Sequence, residues 1–235
     1  MPAIRTAIGR SQSVRLLVEI TVPRVRPISP TLYAGGFHHT RPMERLILAS
    51  GSPRRRELLM QAGYEFEVIV PDESVEADCP RGESLEETVL RLAQSKARDV
   101  ARRIDRGIVL AADTLVECGG LIFGKPADRN QARQMLHQLS GRTHRVLTGV
   151  VLLDARSSHE VSHVETSLLR MAPLNDQLIE TYLDSGQWFG KAGAFGYQDG
   201  WDWLTMESGS ESNVVGLPVE RLPEILIRLN QSMSE

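Results

Sequence analysis

The chain has 235 residues, 41% of them hydrophobic and 24% charged, with a formal net charge of −3. That suits one well-buried domain with room for two lobes. The slightly acidic balance argues against a nucleic-acid binder, and no apolar run reaches transmembrane length, which argues against a membrane partner. The two cysteines, Cys79 and Cys118, have neither metal-ligand spacing nor the number for a disulfide scaffold, so a reducing cytoplasm is the expected compartment.

Residues 1–42 differ from the rest. Arg5, Arg10, Arg15, Arg24, Arg26 and Arg41 stand against one acid, Glu19, and prolines interrupt the stretch. Its apolar run at 14–22 is too short and too broken for a signal peptide. We expect 1–42 to be a disordered extension, or a stretch ahead of a true start at Met43, and 43–235 to be the folded domain. A short strand comes first, at Leu46-Ile47-Leu48-Ala49. The turn Ser50-Gly51-Ser52 follows, with Ser52 a good helix N-cap and Pro53 suited to the first helical position. A strand is predicted over 64–70, then an acidic loop containing Glu73 and Glu76. Ser84 opens a helix reaching about residue 103, and Glu87 completes a capping box. Residues 108–112 are almost continuously apolar, as in a strand buried on both faces. A helix over 130–139, strands over 146–153 and 161–171, a helix over 175–184, a strand over 201–206 and a helix from Pro218 to about 229 complete the pattern. The middle strands follow one another without a helix between them. The expected class is therefore α/β, a mixed twisted sheet with flanking helices.

Several residues break the local rules. Arg54, Arg55 and Arg56 occupy the first turn of a helix, where the dipole disfavours cations. Bound phosphate resolves the conflict, because helix-start amides and guanidinium forks both suit phosphate oxygens; the plainer reading is a solvated basic face. The spacing is not that of a P-loop. Lys96 falls on the apolar stripe of its helix with Leu85, Val89, Leu92 and Val100. It needs either a buried partner or a stem that carries its ammonium to water. Asp113 follows the run 108–112 and is expected to end that strand. Ligand crevices of α/β proteins form at such ends, so Asp113 is a candidate metal ligand or proton acceptor, with a turn cap as the alternative. Lys125 lies in Phe123-Gly124-Lys125-Pro126, a weak signal alone. In the small-residue segment 190–198, Gln198 has an amide able to read a base edge, and Lys191 either meets phosphate or faces solvent. No histidine is placed for a Ser/His/Asp triad. Together these residues suit phosphoanhydride chemistry, with cations against a polyphosphate and carboxylates for a metal or for water.

The motifs Ser50-Gly51-Ser52-Pro53-Arg54-Arg55, Leu92-Ala93-Gln94-Ser95-Lys96-Ala97, Ala112-Asp113-Thr114, Gly124-Lys125-Pro126, Leu139-Ser140-Gly141-Arg142-Thr143-His144, Lys191-Ala192-Gly193-Ala194-Phe195-Gly196 and Val215-Gly216-Leu217-Pro218 occur in this order. In this the chain resembles the Maf family, septum-formation-inhibitor-like nucleoside triphosphate pyrophosphatases. The resemblance implies two lobes around a central cleft, a shape related to the inosine-triphosphate pyrophosphatases. It implies hydrolysis between the α and β phosphates to a monophosphate and pyrophosphate, with Mg²⁺ or Mn²⁺ as cofactor. Arg54, Thr114 and Gln198 are similar to the group acting on dTTP and UTP; 7-methyl-GTP hydrolysis and a nucleotide-binding regulator of cell division are the alternatives. The implied roles are phosphate binding for Ser50, Ser52, Arg54 and Arg55, and base contact for Thr114 and Gln198. Lys96, Lys125 and Asp113 are the implied catalytic set. Asp113 with Glu76 is the implied metal pair, chosen over Glu73. A homodimer is implied by the resemblance alone.

Overall fold

Strand β3, Ile108–Cys118, organises the molecule. On one edge it pairs antiparallel with β5, Thr143–Asp154, from Ile108 through Glu117. On the other edge, β1 (Leu46–Leu48) runs parallel to residues 108–110, and β4 (Leu121–Phe123) folds back antiparallel on residues 116–118. β2 (Phe66–Val68) lies parallel to β1, while β6 (Glu160–Met171) and β7 (Leu204–Ser208) extend the β5 side antiparallel. The result is the expected mixed sheet, in the order β2-β1-β3-β5-β6-β7 with β4 beside β3. The computed structural model describes residues 45–72 and 82–233. The expectations for 1–42, and for Glu73 and Glu76, lie outside those residues.

Among the described residues six α-helices cover the sheet: α1 (Pro53–Gln61), α2 (Leu85–Ala101), α3 (Arg129–Leu139), α4 (Asp176–Asp184), α5 (Glu211–Val215) and α6 (Leu222–Ser232). The period of two along a strand decides what each face of β3 meets. Ile47, Val109, Ala111, Val151 and Leu153 pack with Ala93 and Ala97 of α2. Leu48, Leu110, Ala112, Val150 and Leu152 pack on the opposite face with Leu58 of α1 and Ile225 of α6. A separate core gathers Val116, Phe123, Leu136, Met171, Tyr182 and Trp203 around α3 and α4. These cores make two lobes. Between β1 and β4, among the described residues, no strand covers positions 111–115 on that edge of β3, and a cleft opens there.

The predicted elements recur with shifts that have physical reasons. β3 does not end at Asp113 but runs on to Cys118. Pairing with β5 satisfies its backbone for several residues further, and the polar side chains at 113 and 114 find partners of their own. The strand expected over 64–70 contracts to Phe66–Val68, which is as far as its partner β1 extends. Trp201 and Trp203 precede β7, with Trp203 turned into the α3/α4 core. Pro218 leads into a 3₁₀ turn, Val219–Arg221, before α6 begins. β4 and α5 were not expected; at three and five residues they are too short to show a period.

Candidate active site

The cleft has a volume of about 720 Å³, and Ser50, Ser52, Arg54, Arg55, Lys96, Asp113, Thr114, Lys125 and Gln198 all line it. These sequence-predicted residues come from both lobes and from elements far apart in the chain. What brings them together is the gap in the β3 edge.

Asp113 points to the α2 face, where Lys96 meets it with Nζ 2.6 Å from Oδ1. Both side chains are largely buried. Lys96 therefore takes the buried-partner option and does not snorkel to water. The helix reaches the sheet closely because residue 149, opposite Asp113, is glycine. A Cβ there would stand 2.6 Å from the Val89 carbonyl oxygen and 2.9 Å from the Leu90 nitrogen. Two turns further along the same helix face, Lys96 is delivered to Asp113. The capping box at the start of α2 is formed as expected: Ser84 Oγ accepts from Glu87 N, and the Glu87 carboxylate accepts from Ser84 N.

Thr114 points to the opposite face and meets Arg55. The Arg55 guanidinium donates from Nε to the Gly216 carbonyl at 2.7 Å, from Nη2 to Thr114 Oγ1 at 3.1 Å and from Nη1 to Ser50 Oγ at 3.3 Å. Thr114 also bonds Thr148 at 2.9 Å, and Thr148 donates to the Asn213 carbonyl. Arg55 thus ties α1, β3 and the residues after α5 into one frame. Ser50 Oγ accepts a second bond, from Ser52 N at 3.2 Å. With two donors already aimed at its oxygen, its own hydrogen is left to donate to an anion. Ser52 sits at the N-cap as expected, but its hydroxyl makes no cap bond. The first turn of α1 contains no acid. Of the three arginines, Arg54 and Arg55 turn into the cleft and Arg56 is exposed.

Arg54 donates from Nη2 to the Gly190 carbonyl at 2.7 Å. Burial pulls its pKa down, and the Asp199 carboxylate opposes the shift. Asp199 also holds Lys191, whose Nζ lies 2.5 Å from both carboxylate oxygens, and accepts from the Tyr182 hydroxyl at 3.0 Å. Burial lowers the Lys191 pKa, again against Asp199, and raises that of Tyr182, with Asp199 adding to the effect. Gly196 makes room for this pair, since a Cβ there would lie 2.5 Å from both Lys191 Nζ and an Asp199 oxygen. Sequence reasoning weighed Lys191 but missed Asp199. The available signal was an acid directly after Gln198, eight residues from a lysine in a small-residue segment. Lys125 stands exposed on the wall made by the loop after β4.

Among the described residues no three His, Cys, Asp or Glu side chains converge as a metal cage, and no helix is long and apolar enough to cross a membrane. Asp113 and Asp72 are the described acids on the cleft wall. One carboxylate inside and one at the rim fit an ion shared with phosphate oxygens, the usual way Mg²⁺ is held, better than a cage built from protein alone.

A family profile described as Maf-like protein matches residues 45–229. A dTTP/UTP pyrophosphatase of Rhodopirellula baltica is 54% identical over 190 residues, covering 80% of this chain and 84% of its own. A dTTP/UTP pyrophosphatase of Symbiobacterium thermophilum is 47% identical over 188 residues, covering 78% of this chain and 93% of its own. The solved structure of a HAM1 protein from Coxiella burnetii aligns with 18% identity and a TM-score of 0.45, covering 79% of this chain and 100% of that one.

Proposed function

Since the chain belongs to the Maf family, we propose that it is a nucleoside triphosphate pyrophosphatase acting on dTTP and UTP. The observation that carries this reading is the buried Lys96–Asp113 pair in the same cleft as the α1 start and the cations Arg54, Arg55, Lys125 and Lys191. A polyanion is the ligand such a wall suits, and a carboxylate among those cations is of use to a reaction, whereas it would only weaken binding. The dTTP and UTP preference rests on the names of the relatives above and on Arg54, Thr114 and Gln198.

In the proposed reaction a water oxygen forms a bond to the α phosphorus as the bond from that phosphorus to the α–β bridging oxygen breaks. The bridging oxygen leaves as part of pyrophosphate, and the nucleoside monophosphate remains. Asp113 takes the proton of the attacking water, and Lys96 fixes the carboxylate that does so. The Ser50 hydroxyl, the Ser52 hydroxyl and the amides at the start of α1 bind phosphate oxygens. Lys125 and Arg54 offset their charge, while Arg55 holds Ser50 and Thr114 in place. Gln198 faces the base. Asp113 and Glu76, which lies outside the described residues, are also the pair that would hold Mg²⁺ or Mn²⁺, a role that competes with proton transfer for the one Asp113 carboxylate; the metal, when bound, would neutralise phosphate charge. The proposed compartment is the cytoplasm.

The test is product identification with the full chain and Mg²⁺ or Mn²⁺ over dTTP, UTP, CTP, GTP and 7-methyl-GTP. Monophosphate and pyrophosphate from dTTP and UTP are expected. Turnover of 7-methyl-GTP alone would keep the chemistry and overturn the base assignment. Release of orthophosphate would overturn the bond assignment. No turnover of any substrate by folded protein would favour the regulator.

A further inference from the structure

Among the described residues Phe189 is the most exposed of the large hydrophobic side chains, at 73% of its surface, and it lines the cleft. The same cleft is lined by Arg54, Lys191 and Gln198, so a ligand that fills it would cover the ring. The segment carrying it is held on several sides. Trp188 Nε1 donates to the Leu183 carbonyl at 3.1 Å, and Trp201 Nε1 donates to Gln187 Oε1 at 2.8 Å. The Phe189 amide bonds the Gly186 carbonyl, and the Lys191 amide bonds that of Trp188. Gly186 and Gly190, at φ +71° and +69°, bracket the segment in the left-handed conformation that glycine allows. Arg54 grips the Gly190 carbonyl from α1. Trp188 is thereby turned inward, and Phe189 is presented on a fixed backbone in the cleft that Gln198 also lines.

We propose that Phe189 is the stacking platform for the nucleobase. This rests on the nucleotide reading above. It also gives Arg54 a second task, holding the segment that carries the platform. An aromatic face binds any base through its π surface, and Gln198 then selects by hydrogen bonding. Fixing the ring beforehand lowers the ordering cost of binding. Phe189 therefore sets how tightly a nucleotide binds more than which nucleotide binds.

The test uses the full chain and two probes in calorimetry. These are α,β-methylene-UTP, which has a base and resists cleavage, and inorganic tripolyphosphate, which has none. Phe189→Ala is expected to weaken the UTP analogue by about five- to tenfold, the low end of base–aromatic stacking. Tripolyphosphate should stay within about twofold, and Phe189→Trp should retain the analogue's affinity. Equal weakening of both probes would overturn the proposal, because it would mean the segment had shifted. Unchanged analogue binding would also overturn it, as would a change confined to sedimentation, which would mark Phe189 as a contact between copies of the chain. UTP turnover by the unaltered chain is read separately. Its absence, with analogue binding intact, would sink the pyrophosphatase reading and leave the stacking result standing.

Discussion

Asp113 and Thr114 are neighbours in one strand, yet they belong to different kinds of environment. On the α2 face, Asp113 meets a buried ammonium, and full charges are matched at 2.6 Å. On the α1 face, Thr114 enters a web of hydroxyls and carbonyls gathered by Arg55. The alternation of a single strand thus separates an ion-paired face, to which the proposed reaction assigns the chemistry, from a hydrogen-bonded one, to which it assigns positioning. The gap in the β3 edge lets both reach one cleft. The difference teaches that the two sides should fail differently: the ionic side through loss of chemistry and a buried charge, the neutral side through loss of alignment.

Lys96→Met should break the comparison most sharply. It leaves Asp113 without its buried partner, for an expected loss of about 3–5 kcal/mol in stability, alongside loss of turnover. Adding Asp113→Asn should recover much of that stability in chemical denaturation, because no charge is left stranded, while turnover stays lost. Equal stability of the single and double variants would contradict the ionic account.

The neutral face can be tested through pH. His144 lies on the same face of β5 as Thr148, is 1% exposed, and packs edge-on against Phe195 of the cleft wall. Burial holds its pKa down at about 4, against an ordinary 6.5. Between those values the unfolded chain binds a proton that the folded chain refuses. His144's contribution to stability is therefore complete above about pH 6.5 and is lost as pH falls toward 4, by about 3 kcal/mol in all. His144→Gln should flatten that part of the stability profile; an unchanged slope would assign it to other groups.

Gly149→Ala would sharpen the comparison by moving α2 without touching either charge. Its Cβ meets the Val89 backbone, so a loss of about 1–3 kcal/mol in thermal stability is expected. Turnover should fall with it as Lys96 shifts, and normal turnover would show that the helix need not sit so close. Thr114→Val is expected to have the smallest effect. One hydrogen bond to Arg55 and one to Thr148 are lost, and the cost of about 1–2 kcal/mol should appear in KM more than in kcat.

Much of this was legible in the sequence where a residue type conflicted with its surroundings. A lysine on an apolar stripe, an acid after an apolar run and arginines at a helix start each announced a partner, and for Lys96 the partner is Asp113. What the sequence did not reveal depends on tertiary register. The continuation of β3 past Asp113 follows from its pairing with β5, which no local pattern encodes. Arg55 reads as a phosphate ligand, but the structure engages much of its guanidinium with Ser50, Thr114 and Gly216, residues scattered from 50 to 216. Asp199 stayed hidden because a single acid near a glycine looks like a solvated turn. Phe189 stayed hidden because nothing in a sequence says which of two adjacent aromatics, Trp188 or Phe189, faces outward.

The most direct test of the account is Asp113→Asn, read for both turnover of UTP and binding of α,β-methylene-UTP. If Asp113 takes the proton of the attacking water, turnover should fall by about 10²-fold or more while the analogue binds within about tenfold of the unaltered chain. Near-normal turnover would contradict the account and leave the Lys96–Asp113 pair a structural one.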